Sequence, residues 1–373
     1  MSRHALRRRR ADLVRRIQQA DDVPAMFAQA SAQLARLVPF DGCAWLAADP
    51  GTGLPTAPTL IQNFADPNPG QCMGLWRREF LVKDVNLYRD IARAAMPAAA
   101  LRSAAVDPRR STRYRTFIRP CGFEDELRAV LRVGETTWGL LALMRRAGSP
   151  PFGEPETRLV ASLSAPLGEA LRHRARPLHS WSAGRRQPGP GVLMFDRRVN
   201  LVAASEAARA WLDELPHDDR LPSDLGIGMP MWVAAAASRA ASVDHKEGDG
   251  TARVRVRTRR GTWLICHATR LTGAAEGVAV VLEPAQAAEI APIIVEAYGL
   301  TAREREVTRL IARGLGTAQI AREMFLSTHT VRDYVKAVLQ KVEVSTRGEL
   351  MAKLYAEHYE PLHLAGAVVS RTT

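Results

Sequence analysis

The side chains in this sequence that are best spaced to do chemistry fall in one stretch, Ser327 to Val342. Val331, Val335, Val338, Leu339 and Val342 recur at helical intervals and define an apolar stripe, while His329, Asp333, Lys336 and Gln340 fall on the opposite face beside Arg332. The chemistry open to such a face is recognition rather than bond making. Arg and Lys donate to guanine, Gln pairs with adenine and a carboxylate accepts from the cytosine amino group, and the major groove of B-DNA admits one α-helix carrying them.

A reading helix has to be held, and the preceding residues supply the means. Thr301-Ala302-Arg303-Glu304 has the form of a capping box, followed by Val307, Leu310 and Ile311 on one helical face. That helix is expected to end near Arg313, with Gly314 taking the left-handed conformation that closes it. Thr317 is expected to cap a short second helix with Ile320, Ala321 and Met324 inward, and Phe325-Leu326-Ser327 to form the turn. Ser327 or Thr328 then caps the reading helix and offers a hydroxyl to a phosphate. A fourth helix is expected from Arg347 to His358, with Leu350, Met351 and Leu354 on its apolar side.

In order and spacing these residues resemble the LuxR/NarL-type DNA-binding domain. The resemblance rests on Leu300-Thr301-Ala302-Arg303-Glu304-Arg305-Glu306-Val307, Gly314-Leu315, Ile320-Ala321, Ser327, Thr330-Val331-Arg332, Lys341 and Val344-Ser345-Thr346-Arg347, over about sixty residues. The sequence departs from the family at Tyr334, where His is common, and at Thr346, where Ser is common; both keep a hydrogen-bonding group. The resemblance implies double-stranded DNA as partner, with base-edge contacts from Arg332, Asp333 and Lys336. Backbone contacts would come from Thr317, Ser327, Thr328, Thr330, Tyr334 and Lys341. A carboxylate near phosphate is repelled unless it accepts from cytosine or orients Arg332, so Asp333 is expected to tune sequence choice more than affinity. An unrelated helical bundle, or a protein-interaction module, would share the apolar stripes but not the capping box, short second helix and three-residue turn together.

Lys and Arg number 52 against 39 Asp and Glu, a net charge of +13 that favours a polyanionic partner. The excess is spread along the chain, and the Arg7–Arg10 run reads first as a solvated face, with phosphate contact as the other reading. At 373 residues there is room for two or three domains with separate cores. No stretch approaches the roughly 20 apolar residues of a membrane span. The arginine-rich start lacks the apolar segment of a secretory or twin-arginine leader, so cytoplasmic residence is expected. Cys43, Cys72, Cys121 and Cys266 are spaced for neither a disulfide framework nor zinc, and reduced core thiols are expected. A redox role for the first three lacks a neighbouring signal for a lowered thiol pKa. No metal and no cofactor are expected.

The first half alternates helix and sheet signals. Asp12 to Val38 has helical spacing, Gly42–Leu46 reads as a short apolar strand, and Leu127–Val133 and Trp138–Met144 form a hairpin across Gly134-Glu135. A closing helix from Glu154 to Arg172 carries Leu159, Leu163, Leu167 and Leu171, with a kink expected at Pro166. This order, with Gly122-Phe123, Glu126-Leu127, Trp138-Gly139 and Phe152, resembles a GAF sensor domain over roughly residues 10–174. The resemblance implies a ligand between the sheet and its covering loops, in the region Gln71–Tyr114. Trp76, Phe80, Tyr88, Tyr114 and Phe117 are candidates to line it, or else belong to the core or an interface.

Residues 175–190 have linker composition. Strands at Val192–Asp196, Val254–Arg257, Trp263–Ala268 and Val278–Glu283, with a helix at Glu206–Leu215, then resemble a PAS-like domain over 191–284. His267, inside a strand, reads as a sheet residue before a haem ligand. A connecting helix is expected within 285–298, from Gln286 to Tyr298, followed by the helix-turn-helix domain at 299–360 and a tail at 361–373. No phosphate loop, nucleophile elbow, His-Glu-x-x-His or Cys-x-x-Cys occurs, and Asp21-Asp22 and Asp218-Asp219 lack a receiver-like surrounding.

The whole reads as a multidomain α+β chain, with GAF-like and PAS-like α/β sensor domains before an all-α four-helix reader. It would be a one-component transcription regulator, a homodimer responding to an unidentified effector and not an enzyme. The alternative is a GAF-domain enzyme or sensor whose helical C-terminus serves protein–protein interaction.

Overall fold

The computed structural model describes residues 3–64, 70–104, 107–175, 188–216, 220–242, 251–273, 276–286, 289, 290, 293 and 296–358. Most of the expected linker, Asp218 and Asp219, parts of 286–298 and the tail lie outside these. The described residues form two compact units, one built on two antiparallel sheets and one on four helices. Among them no helix is long and apolar enough to cross a membrane.

The sheet unit starts with α1 (Arg3–Gln19) and α2 (Val23–Ala35). The helical spacing across Asp12–Val38 therefore belongs to two helices, and the break has a local cause. Asp22 is extended, its carboxylate accepts from Ala25 N–H at 2.7 Å, and a proline stands in the first turn. Strands β1 (Gly42–Ala48), β2 (Pro55–Gln62), β3 (Ala98–Ala100), β4 (Phe123–Val133) and β5 (Thr136–Arg146) pair in the order β2-β1-β5-β4-β3. Between β2 and β4 run α3 (Gly70–Leu81), α4 (Tyr88–Arg93), the short α5 (Leu101–Ala104) and a π-helical turn, Tyr114–Ile118. The expected hairpin is β4–β5, with Gly134 at φ +58° in its turn. Both strands are buried along nearly their whole length, which is why their sequence reads as apolar runs rather than alternation.

The closing helix α6 (Glu154–Arg174) continues through Pro166 and buries Leu159, Leu163, Leu167 and Leu171. It lies directly on β4. Ser164 Oγ donates to Val130 O at 2.6 Å and accepts from Arg132 N–H at 3.2 Å, and a Cβ on Gly168 would press on the Arg132 backbone at 3.0 Å.

The second sheet comprises β6 (Gly191–Phe195), β7 (Leu201–Ala204), β10 (Thr251–Arg257), β11 (Trp263–Leu271) and β12 (Gly277–Pro284). Its connections hold α7 (Glu206–Glu214), the short pair β8 (Arg220–Leu221) and β9 (Met229–Pro230), and α8 (Met231–Ser242). Its order is β10-β11-β12-β6-β7. Counted within itself, each sheet thus runs second, first, fifth, fourth, third, all antiparallel.

The two sheets share one apolar cluster, from Leu46, Val130 and Leu140 through Trp76 and Trp232 to Leu193, Val254 and Leu264. Helix α8 bridges them, packing on β10–β12 and on α3 and β2. It is buried from Met231 to Ser238, so it has no polar face and its sequence lacks the usual helical signature. A buried ion pair pins the joint. Asp49 accepts from Arg255 N–H and Nε at 2.8 Å and from Nη2 at 2.7 Å, while Thr56 Oγ1 donates to Arg255 O at 2.7 Å. One residue of the edge strand β10 thereby has both backbone groups and its charge satisfied from the first sheet.

Candidate nucleic-acid interface

In the helical unit, α9 (Ala302–Ala312) begins with the expected capping box: Thr301 N–H donates to Glu304 Oε2 at 2.6 Å and Glu304 N–H to Thr301 Oγ1 at 3.3 Å. It ends with Gly314 at φ +81°, where Leu315 N–H reaches back to Leu310 O at 3.2 Å. Helix α10 (Thr317–Glu323) corrects the expected cap. Gly316 is the N-cap, its N–H held by Gln319 Oε1 at 2.8 Å, while the Thr317 hydroxyl accepts from Arg347 Nη2 at 2.8 Å.

The turn after α10 carries Phe325 at φ +57° and 94% exposed. Helix α11 (Thr328–Val342) follows, capped by Ser327 Oγ, which accepts from Thr330 N–H at 3.0 Å. Val331, Val335, Val338 and Val342 are buried and Leu339 half-buried, so the stripe read from the sequence is the buried face. Helix α12 (Arg347–His358) starts with Thr346 Oγ1 accepting from Glu349 N–H at 3.0 Å and Glu349 Oε2 accepting from Ser345 N–H at 2.7 Å. The threonine that departs from the family pattern is thus a working cap. Leu350 is buried and Met351 half-buried; the side chain of Leu354 lies outside the described residues.

This scaffold leaves Thr328, Arg332, Asp333, Lys336 and Gln340 exposed along one face of α11. Thr330 and Tyr334 are half-buried beside it, and the hydroxyl of Ser327, though exposed, is committed to the cap. Asp333 faces His329 one turn earlier, 3.2 Å from Nδ1, rather than Arg332. Lys341 differs from the others. Its Nζ donates to Glu304 Oε2 at 2.6 Å and Gly299 O at 3.2 Å, tying α11 to the start of α9. Burial alone would raise the Glu304 carboxyl, but hydrogen bonds from Lys341 and Thr301 outweigh it and hold the group below the usual carboxylate range. Arg347, the partner of Thr317, and the exposed aromatic Phe325 were not anticipated from the sequence; the first was already visible in the Val344–Arg347 motif.

Residues 299–354 match the model of the luxR family of bacterial regulatory proteins. The spore germination protein GerE of Bacillus subtilis is 40% identical over 55 residues, 15% of this chain and 74% of GerE. The chain belongs to the LuxR family. The transcriptional regulatory protein DesR of Bacillus subtilis is 43% identical over 58 residues, 16% of this chain, and the chain spans only 29% of its length. Among solved structures, Escherichia coli SdiA aligns over 93% of this chain and 95% of its own at 12% identity, with a TM-score of 0.36. The family match lies within the helical unit, and at that score the likeness to SdiA says nothing about the sheets.

Within the sheet unit of this LuxR-family chain, the five aromatics considered for a ligand do not gather in one place. Trp76 and Tyr88 line two spaces: a cleft of about 840 Å³, which Phe80 also lines, and a smaller space of about 50 Å³, which Phe117 lines with Leu46 and Met231. Tyr114 is at neither, and its hydroxyl donates to Glu124 Oε2 at 2.6 Å. Against the smaller space lies a buried chain of charges missed in the sequence reading. Glu126 takes Arg113 Nε and Arg128 Nε at 2.9 Å each, and Arg128 Nη1 reaches Glu79 Oε2 at 2.7 Å, over the Tyr88 ring. Burial pushes Glu126 up, but Arg113 and Arg128 pull harder and leave it below the usual range. The available signal was an arginine in the middle of an apolar strand, which demands a buried partner.

His267 lies in β11, with Nε2 3.9 Å from Glu283 Oε1. Cys43, Cys121 and Cys266 are buried free thiols, and burial pushes Cys43 up and Cys266 to about 12. The side chain of Cys72 lies outside the described residues.

Proposed function

We propose that the chain is a one-component, sequence-specific DNA-binding transcription regulator. The observation that carries this is the α11 face: Arg332, Asp333, Lys336 and Gln340 stand exposed on a helix whose other side is locked by buried valines and a Ser327 cap. The match to the LuxR family and the likeness to DesR, a transcriptional regulatory protein, support it. Arg332 and Lys336 read base edges, Asp333 with His329 tunes sequence choice, and Thr328 and Arg347 address the backbone. The sheet unit is the sensor, GAF-like in its first sheet and PAS-like in its second, and an effector there modulates DNA affinity without chemical turnover. The chain acts in the cytoplasm as a homodimer, since two-fold symmetry matches palindromic half-sites.

Fluorescence anisotropy against the DNA upstream of its own coding sequence and a scrambled control, across a salt series, tests the reading. Preference for the upstream fragment at physiological salt is the expected result. Equal and steeply salt-dependent binding to both would leave only the net charge of +13 at work and defeat it.

A further inference from the structure

The cleft of about 840 Å³ is bounded by the β1–β2 loop from Pro50 to Pro55, by α3 and α4, by the β4–β5 turn and by Arg239 of α8. Its volume falls within the roughly 300–1,000 Å³ of small-molecule sites. Four guanidinium groups line it, Arg89, Arg93, Arg132 and Arg239, against two carboxylates, Glu79 and Glu135. Glu79 is already neutralised, its oxygens accepting from Arg128 Nη1 at 2.7 Å and Tyr88 N–H at 2.6 Å. The balance facing the cleft is therefore positive. Arg132 is fixed by the carbonyl oxygens of Ala92, Ala94 and Ala95, which makes it part of the wall. Arg239 stands 5.9 Å from the Phe80 ring centroid, and Phe80 stacks with Trp76 at 6.2 Å.

We propose that this cleft binds a small organic anion with a planar apolar body, the aromatics taking the body and Arg93 and Arg239 the charge. Planar guanidinium groups suit carboxylate, phosphate or sulfonate recognition and stack on aromatic faces. The inference names the effector chemistry for the sensing proposed above and rests on that reading. It also indicates how occupancy is felt. The loop walling the cleft follows directly on Asp49, whose carboxylate accepts from Gly51 N–H at 2.8 Å as well as from Arg255, so a ligand against the loop bears on the joint between the sheets.

The test is calorimetric titration of the full chain with 8-anilinonaphthalene-1-sulfonate, an aromatic anion, and with uncharged N-phenyl-1-naphthylamine. Saturable one-to-one binding of the anion is expected, about tenfold tighter than the uncharged compound and weakened about tenfold in Arg93→Ala/Arg239→Ala. Both arginines are exposed, so the variant keeps the fold, which its thermal melt checks. Hydrogen exchange across 49–56 slows on binding. No anion binding, equal binding of both compounds, or an unaffected double variant overturns the proposal. If the same chain still prefers its upstream DNA, only the cleft has failed; if that preference is missing while the anion binds, the regulator reading has failed instead.

Discussion

On α11, Arg332, Asp333 and Lys336 stand exposed, Asp333 beside the likewise exposed His329, whereas in the sheet unit Arg113, Glu126, Arg128 and Glu79 sit at 4% exposure or less and are spent on one another. Asp49 and Arg255, at 0% and 7%, belong to the second kind. The difference teaches what a charge is for in each place. An exposed charge adds little to stability. A buried pair is no great source of stability either, but removing one partner strands the other in a medium that cannot solvate it.

The largest expected effect follows from that asymmetry. Asp49→Ala should destabilise the sheet unit by about 3–5 kcal/mol in chemical denaturation, and Asp49→Asn/Arg255→Leu by much less, because the amide oxygen still accepts from the backbone N–H groups of residues 51 and 255. Equal losses would mean that the pair itself, and not the stranded charge, matters. Arg332→Ala or Lys336→Ala should instead leave the melt unchanged and weaken specific DNA binding by about 1–3 kcal/mol in anisotropy titrations. Ser327→Ala sits between the two cases, losing about 1 kcal/mol of helix stability and weakening binding only through it.

The smallest effect sharpens the comparison most. The pairing of Lys341 with Glu304 makes it an internal tie, and because Glu304 keeps the hydrogen bond from Thr301 N–H, Lys341→Ala should change the salt slope of DNA binding little and reduce stability by about 1 kcal/mol. Glu304 is held below its ordinary range, so its contribution is present above the unfolded glutamate pKa of about 4 and is lost as pH falls through the lower folded value. Lys341→Ala should flatten that acid limb. A salt slope reduced by a full phosphate contact, with the acid limb intact, would return Lys341 to the backbone-contact role its family position implies.

The reader was legible almost residue by residue. Thr301, Gly314, Ser327 and the valine stripe act through neighbours three or four positions away, and such interactions are written in the spacing itself. Thr317 escaped because Arg347, thirty positions on, holds its hydroxyl. The pairing of Lys341 was not legible because its partner Glu304 lies thirty-seven positions back. The same contrast holds in the sheets. The β4–β5 hairpin and the leucine row of α6 were readable from local pattern, whereas β2, α3 and α8 were not, since α8 is buried nearly all round and shows no amphipathic stripe.

What the sequence determined by itself, then, are the elements whose amides and apolar faces are satisfied nearby: the caps, the turns, the α11 stripe and the family they mark. Only the tertiary structure decided which charges meet. It paired Asp49 with Arg255, strung Arg113, Glu126, Arg128 and Glu79 into one buried chain, and divided the five aromatics between separate surroundings. Coulombic and hydrogen-bonding partners across sheets are set by how layers stack, and stacking leaves no periodic trace along the chain.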